Sequence, residues 1–160
     1  MPMIDIVVPE GLFSASGEAA LLGRATACLR DWQRIGAVAP AIENIGAYLH
    51  VIPKAQVTAG GKAANVVRVE VLWPAGAPGP EERAGITEGI AALVAELASD
   101  SSTRDRTWVA FREAVDGGWG VAGRPDANAA LADDAPARPK VPEGVSLLRR
   151  LWWALEAAAS

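Results

Sequence analysis

The chain has 160 residues, of which 51% are apolar and 21% are charged, enough for one compact domain or two small fused units. Its 15 basic and 19 acidic residues give a net charge of −4, so the composition favours neither nucleic acid nor an anionic membrane as a partner. One cysteine, Cys28, excludes a disulfide within the chain, and with His50 as the one histidine it cannot form a zinc or cysteine-rich metal site.

The amino-terminal segment lacks the pattern of a signal peptide, because Asp5, Pro9 and Glu10 interrupt its apolar run. The sequence also has no stretch of about 20 apolar residues, which a membrane-spanning helix would require. A chain with a single cysteine fits a reducing compartment. We therefore expect a soluble, cytoplasmic protein.

The first third of the chain has the pattern of a strand, a helix and a second strand. Residues from Pro2 to Val8 form an apolar, β-branched run. From Ser14 or Ser16 to about Ile35, apolar residues recur at three- and four-residue spacing, which predicts a helix ended by Gly36. A second strand is predicted from Ile45 to Ile52. These elements make one β-α-β unit, at about residues 2–53.

The same order of elements returns in the second half. Val66 to Trp73 alternates in polarity, as a strand with one buried face does. Pro80 is placed to open a helix, and Asp100 to Arg106 is predicted as a polar connection. Thr107 to Val115 is predicted as the fourth strand, which completes a second β-α-β unit at about residues 66–116.

Right-handed crossovers would make the two strands of each unit parallel. The units can then join edge to edge into a four-stranded sheet with both helices on one face. This is an α/β fold, classed as α+β in some schemes. The second face of the sheet stays uncovered, and association of copies is the simplest way to bury it.

The carboxy-terminal part differs in composition from the rest. The segment from Arg124 to Gly144 is rich in Ala, Pro and Asp and is predicted as a linker. A last helix is predicted from Val145 to Ala158. We therefore divide the chain into a domain at 1–124, a linker at 125–144 and a helical extension at 145–160.

Most standard catalytic motifs are absent, and the glycines at Gly60–Gly61 and from Gly117 to Gly123 favour turns over a dinucleotide fingerprint. Pro2 stands out, because removal of Met1 would expose a secondary amine at the start of a strand. An α-amino group has an ordinary pKa of about 7.7–8.0, so modest desolvation makes it a usable base. The alternative is that Pro2 only begins an edge strand.

Three segments together resemble the tautomerase superfamily, over about residues 2 to 124. The runs MPMIDIVVPEG and GAYLHVIPKAQVTAGG are similar to the macrophage migration inhibitory factor family. The run RTWVAFREAVDGGWGVAG is similar to the 4-oxalocrotonate tautomerase and cis-3-chloroacrylic acid dehalogenase families. The resemblance implies an oligomer, commonly a trimer, built from β-α-β units, with an amino-terminal proline as catalytic group and no cofactor.

The resemblance implies functional roles at some positions, and at others the sequence departs from the family pattern. It implies that Pro2 is the general base or acid and that Trp119 forms an aromatic pocket wall. Trp108 falls where members have a catalytic tyrosine or a substrate-binding arginine. Ala110 and Leu12 stand where other members have polar or cationic side chains, and the paired arginines of the dehalogenases have no counterpart in WPAGAPGP.

A replacement cation is available in the fourth strand. Trp108, Ala110 and Arg112 share one face because side chains alternate along a strand. Arg112 could hold a carboxylate or stabilise an enolate oxygen; alternatively it pairs with Glu70 across the sheet or with Glu113 of a neighbouring chain.

Two further residues complete the candidate substrate-binding set of Trp108, Trp119, Tyr48 and Arg124. Tyr48 could donate a hydrogen bond to an oxyanion or fill an interface. Arg124 could line a pocket rim or lie exposed in the linker.

These residues predict an isomerase that moves a proton between carbon and oxygen of a small α-keto or unsaturated carboxylic acid. Pro2 and Arg112 are its predicted catalytic residues, and no metal is implied. Two alternatives stay open: a divergent member that acts as a binding protein, and a Pro2-dependent hydratase, decarboxylase or dehalogenase.

Overall fold

The computed structural model describes residues 2–33, 45–75, 78–98, 100–121 and 123–126. The predicted helix end at Gly36, nearly all of the predicted linker and the predicted carboxy-terminal helix lie outside these ranges. In chain order the described strands and helices are β1 (Met3–Pro9), α1 (Ala15–Gln33), β2 (Gly46–Ile52), β3 (Thr58–Ala59), β4 (Lys62–Ala63), β5 (Val67–Pro74), α2 (Pro80–Leu97), β6 (Thr107–Ala114), β7 (Trp119–Val121) and β8 (Arg124–Asp126).

The main sheet has four strands in the order β2-β1-β5-β6. The pairs β1–β2 and β5–β6 are parallel, and the central pair β1–β5 is antiparallel. The predicted fold class and the edge-to-edge joining of two β-α-β units are therefore confirmed. The predicted main strands and the start of α2 agree with the structure to within one residue.

The core is formed by one face of this sheet and the two helices. In β1, Ile4, Ile6 and Val8 are fully buried, while the residues between them are partly exposed. Val69 and Val71 of β5 are fully buried in the same way. Strand alternation places these side chains under the helices and leaves the opposite face, which we call the open face, uncovered within the described ranges.

Side chains of α1 lie against α2 at two of its glycines. A Cβ atom built at Gly85 would overlap the indole ring of Trp32, and one built at Gly89 would lie 2.7 Å from Sγ of Cys28. Gly85 and Gly89 are four residues apart, so they lie on one face of the helix. The absence of side chains there lets Trp32 and Cys28 pack against the core.

Turn glycines occur where the sequence predicts them. Gly60 and Gly61, with φ of 59° and 76°, form the two-residue turn between β3 and β4. Both φ values are positive, as a type I′ hairpin turn requires. Gly117 and Gly123 also have positive φ, of 71° and 77°.

One prediction about a connecting segment is wrong: Arg124 does not begin an unstructured linker, because Arg124–Asp126 is a strand that pairs with Trp119–Val121. The polar connection predicted from Asp100 to Arg106 contains a 3-10 helix at Ser101–Arg106. The Asp100 carboxylate caps it by accepting a hydrogen bond of 2.9 Å from the Ser102 N–H.

Neither α1 nor α2, the two α-helices of the described part, is long and apolar enough to span a membrane.

The close approach of the helices predicts opposite effects for the same substitution at two sites. Gly85→Ala should lower the free energy of unfolding by about 1–2 kcal/mol, because displacing the Trp32 ring costs more than the gain in helix propensity. Gly23→Ala in α1 is the control, since a Cβ there has nothing within 4 Å. It should stabilise by up to about 1 kcal/mol. Urea unfolding measures both, and equal effects would contradict the described contact.

Candidate active site

Pro2 immediately precedes β1, an interior strand of the sheet. The residue is buried, and its carbonyl oxygen accepts a hydrogen bond of 3.2 Å from the Gly46 N–H. Pro2 therefore does not begin an edge strand, and its backbone is tied to β2.

Arg112 lies on the open face of β6. It is in register with Leu72, which is in register with Met3, so two strand spacings, roughly 10 Å, separate the backbones of Arg112 and Met3. Its Nε and Nη2 atoms lie 3.3 Å and 3.4 Å from the two carboxylate oxygens of Glu70.

Glu70 is thus the ion-pair partner of Arg112 within the chain. Glu113, the other partner considered from the sequence, belongs to the opposite face of β6. Its carboxylate lies 2.6 Å from Nη2 of Arg83 in α2. Within the chain the two ion pairs are therefore on different sides of the sheet.

Trp108 lies far from Pro2 in the same chain. It is in register with Arg68, which is in register with Val7. Val7 is five positions along β1 from Pro2, or roughly 16 Å at the usual rise of a strand. The indole is 53% exposed on the open face. A single chain therefore does not bring Trp108 and Pro2 together.

The other predicted binding residues lie on separate elements of the fold. Tyr48 lies on the open face of β2, in register with Asp5, and is half-exposed. Trp119 is buried in β7. Arg124 pairs through its backbone with Val121 in the same small hairpin as Trp119; its side chain is outside the described part of the structure.

Sequence reasoning missed a charge cluster in the centre of the open face. Asp5 and Glu70 stand directly opposite each other in the β1–β5 pair. Nε2 of His50 lies 2.9 Å from Oδ1 of Asp5, and Nη1 of Arg68 lies 3.7 Å from Oε1 of Glu70. The signal that could have found it is Asp5, the one charged residue in the apolar run of the first strand.

The departures from the family pattern also have structural counterparts. Leu12 is 3% exposed and belongs to the core, so no cation takes part at that position. Ala110 is exposed on the open face, in register with Glu70. A methyl group there offers no hydrogen bond, and it leaves room beside the Glu70 carboxylate.

Cys28 is not activated as a nucleophile. Burial, with a smaller contribution from Asp31, raises the pKa of its thiol from 9.0 to about 11. The thiolate is the reactive form of cysteine, so little reactivity is available at neutral pH. Among the described residues there is also no group of three acidic, histidine or cysteine side chains that could hold a metal ion.

Comparison with solved structures identifies the fold. A fused 4-OT, a wild-type symmetric trimer, has a TM-score of 0.67 and 22% identity, covering 80% of this chain and 98% of that one. Pt0534 inactivated by 2-oxo-3-pentynoate has a TM-score of 0.67 and 20% identity, covering 81% and 98%. Macrophage migration inhibitory factor of Toxoplasma gondii has a TM-score of 0.62 and 13% identity, covering 76% and 97%.

This chain has the tautomerase fold. No protein-family model and no curated protein sequence matches it, so the likeness is one of structure. The tautomerase fold accounts for the two β-α-β units and for the interior position of the strand that follows Pro2. At these identities it shows the architecture and leaves the chemistry to be argued from the residues.

The raised pKa of Cys28 predicts slow alkylation of the folded protein. At pH 8 the change from 9.0 to about 11 reduces the thiolate fraction by about a hundredfold. Iodoacetamide labelling followed by mass spectrometry should show this reduction relative to the same chain in denaturant, with the rate rising as the pH approaches 11. Equal labelling rates in the two states would contradict burial of the thiol.

Proposed function

We propose that the protein is a tautomerase-like enzyme that uses Pro2 as general base and acid on a small α-keto or unsaturated carboxylic acid. The observation that carries the proposal is the place of Pro2 in the tautomerase fold. It is a buried proline at the head of an interior strand, with its carbonyl held by Gly46. The proposal requires that Met1 is removed, because a peptide nitrogen has no usable basicity.

The proton transfer follows from the chemistry of a secondary amine. In the keto-to-enol direction, the neutral nitrogen of Pro2 takes a proton from the carbon next to the ketone, and the electron pair moves onto the carbonyl oxygen. The ammonium form then returns the proton to that oxygen. Arg112 is the proposed partner of the developing negative charge, which a guanidinium stabilises through directed hydrogen bonds.

We further propose that the site is completed between copies of the chain, as a homotrimer in the cytoplasm. Two features support this: Trp108 is level with Val7, roughly 16 Å along β1 from Pro2 and two strands away from it, and Tyr48 and Trp108 are exposed on the open face. The similar fused 4-OT is a symmetric trimer. In such an assembly Trp108 and Tyr48 contribute to the substrate pocket of a neighbour, Trp119 forms an aromatic wall of a pocket and Arg124 lies at a pocket rim.

The second candidate is a binding protein that has kept the fold without catalysis. It is favoured by the two positions where members of the superfamily have functional side chains and this chain has Leu12 and Ala110. Leu12 is in the core, and Ala110 offers no polar group. The two candidates differ in whether chemistry depends on the Pro2 nitrogen.

Turnover of phenylenolpyruvate tests this dependence. Pro2→Ala should lower kcat/KM by about a hundredfold or more, because the rigid ring that positions the base is lost. Insertion of one alanine ahead of Pro2 should abolish turnover, since the nitrogen becomes part of a peptide bond. Pro53→Ala, at an exposed proline after β2, is the control and should retain wild-type activity. Equal rates in all four proteins would favour the binding protein.

Covalent labelling gives a second test that does not depend on the physiological substrate. The alkyne of 2-oxo-3-pentynoate, which inactivates Pt0534, is activated by its ketone. A neutral amine can add to the triple bond while its proton moves to carbon. Peptide mapping should place one adduct on Pro2 in the wild type and none in the variant with the inserted alanine. An adduct on Cys28 instead would contradict the proposed nucleophile.

A further inference from the structure

The end of the open face away from Pro2 contains a cavity of about 830 Å³. Its floor is formed by side chains of all four strands, including Val7, His50, Arg68 and Trp108, and Val57 and its neighbours form one wall. Neither Pro2 nor Arg112 lines it. Five apolar residues and six polar or charged residues line the cavity, and the carboxylates of Asp5 and Glu70 are among the charged groups.

Arg68 is the cationic residue of this cavity that can donate hydrogen bonds to an anion. Its side chain is 59% exposed, and its nearest carboxylate oxygen, on Glu70, is 3.7 Å away, beyond hydrogen-bond distance. Within the described ranges the guanidinium donates no hydrogen bond. It therefore presents a planar set of N–H donors that matches a carboxylate.

The Glu70 carboxylate is shared between Arg68 and Arg112, and it lies closer to Arg112. Both oxygens of Glu70 face Arg112, at 3.3 Å and 3.4 Å. Asp5 is likewise engaged, since one of its oxygens lies 2.9 Å from Nε2 of His50. The two acidic groups next to Arg68 thus have other partners, which reduces their competition with an incoming anion.

Trp108 provides the second half of a recognition site. It is the cross-strand neighbour of Arg68, and both side chains line the cavity. The indole is 53% exposed, which leaves a flat apolar surface for an unsaturated or aromatic group. A guanidinium and an indole side by side suit a ligand in which a carboxylate is attached to a flat carbon skeleton.

We infer that Arg68 and Trp108 form a binding site for small, flat carboxylates, with Arg68 as the anchor of the carboxylate. The inference rests on the proposed function only in identifying this ligand with the substrate, because the binding itself does not require the nitrogen of Pro2. The two arginines of the open face then have different roles. Arg112 pairs with Glu70 and stabilises the reacting oxygen of the substrate, and Arg68 binds the carboxylate.

Calorimetric titration with cinnamate tests the site, with cinnamamide as the uncharged control ligand. Arg68→Gln should weaken cinnamate binding by about tenfold to a hundredfold, the usual worth of hydrogen bonds to a charged group. Arg68→Lys should retain part of the affinity, since it keeps the charge and loses the planar donor set. Trp108→Ala should weaken both ligands. Thermal unfolding of each variant checks that the fold is intact.

Arg24→Gln is the matched control, because Arg24 is also an exposed arginine paired with a glutamate, Glu96, but lies on the helices. It should bind cinnamate like the wild type. Unchanged affinity in folded Arg68→Gln, or equal losses in Arg24→Gln and Arg68→Gln, would overturn the inference. Cinnamamide binding as tightly as cinnamate would overturn it as well.

The Pro2 variants separate this inference from the proposed function. Turnover of phenylenolpyruvate by Pro2→Ala tests the catalytic proposal alone, and cinnamate binding by Arg68→Gln tests the carboxylate site alone. If Pro2→Ala keeps its turnover but Arg68→Gln loses cinnamate binding, the carboxylate site stands and the catalytic proposal fails.

Discussion

The burial of one sheet face under two helices is the constraint on which the rest of this structure depends. Ile4, Ile6 and Val8 of β1 are fully buried against the helices, and their partners in β5 follow the same parity. Side chains alternate along a strand, so the residue that follows a buried one lies on the open face. The positions of Asp5 and Glu70 on that face are therefore consequences of core packing.

On the open face, each of two opposed carboxylates has a basic side chain beside it. Asp5 and Glu70 are directly opposed across two antiparallel strands, an arrangement that is unfavourable between like charges. His50 pairs with the first carboxylate and Arg112 with the second. These two side chains offset the repulsion and complete a band of polar groups across the four strands.

The distribution of candidate groups over the sheet has a direct consequence for function. Pro2 lies at one end of β1, while Arg68 and Trp108 lie level with Val7, towards the other end of that strand. In the homotrimer that we propose, each chain contributes the two ends of its sheet to different sites. The open face then has two roles, as a surface for association and as a source of recognition groups.

The sequence by itself determined the order of elements, the two β-α-β units and the strand faces, because hydrophobic periodicity and turn glycines are local signals. It also indicated Pro2 and the shared face of Trp108, Ala110 and Arg112. Only the tertiary structure decided that Arg112 pairs with Glu70, that Arg68 adjoins Trp108, and that Trp108 lies far from Pro2. Those relations depend on strand order and register, which bring together residues distant along the chain, and no local pattern encodes them.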